Sequence, residues 1–88
     1  IVVDEQVAVK PVNGYTRIIK AGSSWKYVGQ TPQGDVYKIQ NDVFMVEGAN
    51  MREGYAVLNS DRLVGFYLPV EQAFVPLDEA IPLPLRNR

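Results

Sequence analysis

Histidine and cysteine are both absent from this 88-residue chain. Without a thiol there is no disulfide, no thiolate nucleophile and no zinc–sulfur site. Without an imidazole, the commonest general base at neutral pH is missing as well. No apolar run approaches the roughly 18–20 residues that span a bilayer as a helix. Basic runs are lacking too: nine Lys and Arg stand against ten Asp and Glu, giving a net charge of −1, and only Arg86 and Arg88 lie close together. Affinity for a phosphate backbone needs several cations on one face, so nucleic acid is not an expected partner.

The groups that remain make poor chemistry. Ser23-Ser24 offers hydroxyls but no activating base, and reads as a turn. Asp42 and Glu47 are five positions apart across an expected strand and so point to opposite faces. Asp4-Glu5 and Asp78-Glu79 are acidic pairs near the ends, expected to be solvated. Neither Gln40-Asn41-Asp42 nor Asn59-Ser60-Asp61 carries the oxygen-rich spacing of a calcium loop. Gly29 to Gly34 lacks the flanks and following helix of a phosphate cradle. An enzyme working through carboxylates needs two of them roughly 5–10 Å apart across a cleft, and nothing in the spacing predicts that. The expectation is a protein that is not an enzyme and has no metal or cofactor.

What is present is apolar and β-prone. The chain is 47% hydrophobic, with three Phe, one Trp and five Tyr, enough for one modest core in a single domain. Runs of β-branched and aromatic residues recur about every ten positions, bounded by Gly, Pro, Asn and Asp. Residues 2–12 read as a first strand, with Pro11 marking an edge or its end, Asn13-Gly14 as a turn, and residues 15–20 as a second strand. Residues 25–30 and 36–40 form the clearest hairpin, with Thr31 to Asp35 as a three-residue loop closed by Gly34. Trp25, Tyr27, Gly29, Tyr37 and Ile39 then share one face, and Lys26, Val28, Val36 and Lys38 the other. A tight turn at Asn41-Asp42 sets Ile39 opposite Phe44 and Tyr37 opposite Val46, extending the pair into a three-stranded meander over 25–46. The segment 48–54 reads as a loop.

The most telling stretch is Tyr55–Leu58, a polar break at 59–62, then Leu63–Leu68. Pairing Leu58 with Leu63 places Tyr55, Val57, Val64, Phe66 and Leu68 on one face. Ala56, Leu58, Leu63, Gly65 and Tyr67 fall on the other. A hairpin apolar on both sides is central to a closed structure or offers one face to a partner. Residues 69–74 allow at most one short helical turn, and 75–77 a last short strand. The proline-spaced segment from Asp78 reads as an extended tail, polyproline-like or frayed. The fold expected is all-β: a small closed or partly open antiparallel barrel of SH3-like size built from hairpins. The N-terminal strand or arm covers 1–12, the barrel core 13–77 and the tail 78–88.

Function is expected to lie in contact. The first reading is a non-catalytic protein-interaction or structural module that binds a protein partner or itself through Leu58, Leu63 and Tyr67, with Val43 and Met45 beside them. The second is a small-ligand carrier or sensor holding an apolar molecule inside the barrel between Trp25, Tyr37 and Phe66. The start at Ile1, without Met or leader, fits a processed periplasmic or envelope protein such as the mature part of a lipoprotein; an excised domain would begin in the same way.

Overall fold

Apolar residues here alternate or cluster in short runs and are punctuated too often for a helix to propagate. The computed structural model describes residues 1–48 and 50–86, and among them the secondary structure is entirely β, with no helix. In chain order the strands are β1 (Val2–Val3), β2 (Val7–Val9), β3 (Arg17–Ile19), β4 (Trp25–Thr31), β5 (Gly34–Ile39) and β6 (Met45–Glu47). They continue as β7 (Met51–Glu53), β8 (Tyr55–Asn59), β9 (Arg62–Leu68), β10 (Ala73–Pro82) and β11 (Leu85–Arg86). A five-stranded antiparallel sheet in the order β10-β9-β8-β5-β4 dominates, and β1 with β11, β2 with β3 and β6 with β7 form two-stranded ribbons. Among the described residues no helix is long and apolar enough to cross a membrane.

The β4–β5 hairpin keeps its expected faces by a different route. Its turn has two residues, Pro32 and Gln33, with Thr31 opposite Gly34, rather than three residues closed by Gly34. A bulge at Val28 absorbs the difference, between the pairs Tyr27–Tyr37 and Gly29–Val36. Trp25, Tyr27, Tyr37 and Ile39 therefore still share a face, while Gly29 moves across to the side of Val36.

The expected meander over 25–46 does not form. β5 pairs with β8, setting Val36 opposite Val57 and Tyr37 opposite Ala56. The turn at Asn41-Asp42 exists, with Asn41 at φ 60° and the Val43 N–H donating to Asp42 Oδ1 at 2.7 Å. It turns the chain out of the sheet plane rather than back along β5. Phe44 then enters the core, where its ring stacks on Phe66 and tilts against Trp25. β6 pairs with β7, so the expected loop over 48–54 is largely a hairpin, with Ala49 outside the described residues. The inward direction of residues 37–46 nevertheless holds: Phe44 and Val46 are buried, and Tyr37 and Ile39 pack against the core.

The β8–β9 hairpin overturns the expected division of faces. Leu58 does pair with Leu63, around a two-residue turn at Ser60-Asp61 in which both residues have positive φ. Such a turn matches the right-handed twist of the strands. One position further the register slips: Val57 faces Gly65, Ala56 faces Phe66 and Tyr55 faces Tyr67, leaving Val64 as the extra residue of a bulge. A one-residue slip exchanges the faces beyond it. Ala56, Leu58, Leu63, Phe66 and Leu68 thus line the core, and Tyr55, Val57, Gly65 and Tyr67 lie on the outer face.

Residues 69–72 form a hairpin turn, not a helical one, and β10 runs on to Pro82. The segment after Asp78 is not a free tail. Leu83 is buried in the core, and β11 pairs with β1; Asn87 and Arg88 lie outside the described residues. The N-terminal segment is equally built in. Val3 and Val9 are core residues, and Pro11 bridges to Leu77 on β10. Ile1 and Trp25 exchange hydrogen bonds in both directions at 2.7 Å, so β1 lies between the start of β4 and β11. No closed barrel results: the sheet is open, with β4 and β10 as its outer strands.

Candidate functional site

The outer face of the central sheet is built by the two bulges. Of the buried apolar residues, Val36 and Val57 stand apart from the main core cluster. They pair across β5 and β8 and form the floor of a second, smaller apolar layer. Gly65 next to Val57 leaves room for the Phe74 ring, which lies so close that a Cβ on Gly65 would stand 2.7 Å from Phe74 Cζ. Tyr55 and Tyr67, both half-buried, face each other across β8 and β9. Together with Val28, Gly29, Thr31 and Val36 they line a trough of about 290 Å³. Burial raises the Tyr55 phenol above its ordinary pKa, and the nearby Glu53 carboxylate adds to the effect. The hydroxyl is therefore neutral at any physiological pH, free to donate or accept a hydrogen bond.

Beside this trough on the same face, Lys26 and Lys38 stand directly opposite each other. With Val28, Gln40 and Asn41 they line a smaller basin of about 190 Å³. The ion pairs of the described residues are Lys10–Asp78, Arg17–Glu47, Arg52–Glu71 and Arg86–Asp4, and neither lysine takes part in them.

A second depression, of about 480 Å³, opens between β3, the 20–24 turn and the 39–44 segment. Trp25 and Phe44 close its inner end, and Ile18 and Val43 stand exposed on its walls. Arg17 holds Glu47 at 2.9 Å and places its guanidinium carbon 5.5 Å from the Phe44 ring centre, while its Nε is buried without a hydrogen-bond partner. The hydroxyls of the 23–24 turn are occupied. Ser23 Oγ accepts from Trp25 Nε1 at 3.0 Å, and Ser24 Oγ donates to Gln40 Oε1 at 2.7 Å. Among the described residues, no three acidic side chains gather as a metal site.

The five residues singled out from the sequence do not form one patch. Leu58 and Leu63 pair with each other inside the chain's own core, Leu63 at 0% exposure. Tyr67 lies on the opposite face of the sheet, in the trough. Val43, 55% exposed, lines the other depression, and Met45 is half-buried on β6. The space between Trp25 and Phe66 is filled by the Phe44 ring, with centroid separations of 5.6 and 5.1 Å. Sequence reasoning did place Lys26, Val28, Val36 and Lys38 on one face. It missed that Tyr55 and Tyr67 join them, because that requires β8 beside β5 and the slip at Val64. No family model matches the chain, and no curated protein or solved structure matches it either.

Proposed function

We propose that this is a non-catalytic protein-interaction module that engages its partner through the outer face of the central sheet, at the trough between Tyr55 and Tyr67. The observation that carries this reading is the directly opposed, half-buried tyrosine pair, which lines an open trough with Val28 and Val36 on the outer face of the sheet. Aromatic-lined grooves of this kind accept extended peptide segments, because rigid rings supply contact area at little entropic cost. The rest of the surface offers little competing chemistry: its carboxylates near cations sit in exposed or half-exposed ion pairs, and its turn hydroxyls are engaged.

Site-specific photocrosslinking tests the reading. A benzophenone side chain placed at Val28 should give a discrete adduct in cells, and that adduct should vanish with Tyr67→Ser. The same probe at Val70, the most exposed large apolar residue at 82% but outside the trough, should give none. Equal adducts at both positions, or none at Val28, would contradict the proposal.

The alternative, a small-ligand carrier or sensor, draws support from the 480 Å³ depression that borders Trp25, a volume within the range of ligand sites. Trp25 is the only tryptophan, so its fluorescence reports directly. A saturable change with a small apolar ligand, abolished by Val43→Asp, would favour this reading over the first.

A further inference from the structure

The outer face carries a feature that the contact reading alone does not explain. Lys26 and Lys38 are a directly opposed cross-strand pair of like charge, an arrangement that destabilises a sheet, and among the described residues no carboxylate forms an ion pair with either. Their basin and the tyrosine trough meet at Val28, which lines both and is 47% exposed between them. An apolar socket and an unneutralised cationic socket thus lie side by side along β4 and β5.

We propose that the partner segment recognised here is an extended acidic peptide, which sets an apolar side chain between Tyr55 and Tyr67 and a carboxylate between Lys26 and Lys38. This inference rests on the contact reading above and adds the chemistry of the partner. Strand geometry fixes the spacing. Val36 on the trough floor and Lys38 in the basin are two positions apart on one strand, roughly 7 Å, so the acid lies about two residues from the apolar anchor. The carboxylate would offset the lysine–lysine repulsion and accept charge-assisted hydrogen bonds from both ammonium groups. A phosphate backbone fits less well, since two lysines on a chain of net charge −1 fall short of the cationic stripe that nucleic acids require.

The test is selection of a random peptide display library on three versions of the chain: unchanged, Lys26→Gln/Lys38→Gln, and Tyr67→Ser. The expected result on the unchanged chain is enrichment of Asp or Glu about two positions from an aliphatic or proline residue. The lysine variant should keep the apolar preference, lose the acidic one and bind the selected peptide about tenfold more weakly, the effect of losing a charge-assisted contact. That variant should also melt no lower than the unchanged chain, because the substitution removes a repulsion. An apolar consensus without an acid, still lost with Tyr67→Ser, would overturn this inference and leave the contact reading standing. Absence of any Tyr67-dependent enrichment would overturn both. Binding of a mixed-sequence single-stranded oligonucleotide that depends on the two lysines, in place of peptide, would also overturn it.

Discussion

The ring of Phe44 stacks on that of Phe66, with centroids 5.1 Å apart and planes inclined by 21°. Phe44 belongs to no strand. It arrives from the crossing segment after the Asn41-Asp42 turn and tilts against Trp25 on its other side, so one residue joins the start of β4 to the middle of β9. Replacing it with Ala leaves a cavity among residues that cannot collapse together. Phe44→Ala is expected to lower stability by about 3–5 kcal/mol and to shift Trp25 emission to the red in the folded state. Denaturant unfolding followed by fluorescence checks both; a loss below about 1 kcal/mol would mean that Phe44 is not a core residue.

Gly65 sits where Val57 and Phe74 converge on the outer face. A methyl group there would crowd the Phe74 ring and meet the Val75 carbonyl oxygen even more closely. Because backbone cannot move aside as a ring can, Gly65→Ala should cost about 2 kcal/mol. Phe74→Ala in the same chain should restore only part of that. Full restoration in a double-mutant cycle would show that the ring, and not the β9–β10 backbone spacing, sets the limit.

The phenol of Tyr55 titrates above 10.0, raised first by burial and then by Glu53. Folding therefore favours the uncharged form. Its contribution to stability is complete below pH 10 and disappears as pH rises through the higher folded value. Tyr55→Phe should lessen the alkaline loss of stability while leaving neutral-pH stability nearly unchanged, as measured by denaturation midpoints across pH. Identical alkaline profiles for the two chains would contradict the assigned environment.

Much of the architecture is legible in particular residues. The β4–β5 hairpin and its inward face follow from Trp25, Tyr37 and Ile39 at alternating positions, and the bulge at Val28 preserves that parity, although Tyr27 on the same side is 52% exposed rather than buried. The Leu58–Leu63 pairing follows from the polar break between them. The slip at Val64 leaves no such trace. Both faces of β9 are apolar, so either register buries hydrophobic side chains and the pattern does not distinguish them. The turn at Asn41-Asp42 is equally visible, but a turn residue states only that the chain bends. Which strand lies beside β5 was decided by Phe44 entering the core, a long-range preference absent from local sequence. The prolines after Asp78 describe an extended backbone correctly; its partners, β9 at Arg62–Leu63 and β1 at the other end of the chain, are beyond any local signal. The outer-face site was illegible for the same reasons, because Tyr55 and Tyr67 reach Lys26 and Lys38 only through the β5–β8 pairing and the slipped register.

The outer-face site exists only if Tyr67, and not Leu63, faces water on β9, and a paired substitution reads that directly. Leu63→Lys and Tyr67→Lys place the same charge four positions apart on one strand, and urea denaturation of both variants compares the two environments. The first buries a cation in the core and should lose at least about 4 kcal/mol or fail to fold, whereas the second should lose about 1 kcal/mol and keep the native circular dichroism. Equal losses, or a folded Leu63→Lys chain beside an unfolded Tyr67→Lys one, would contradict the slipped register and the outer-face site built on it.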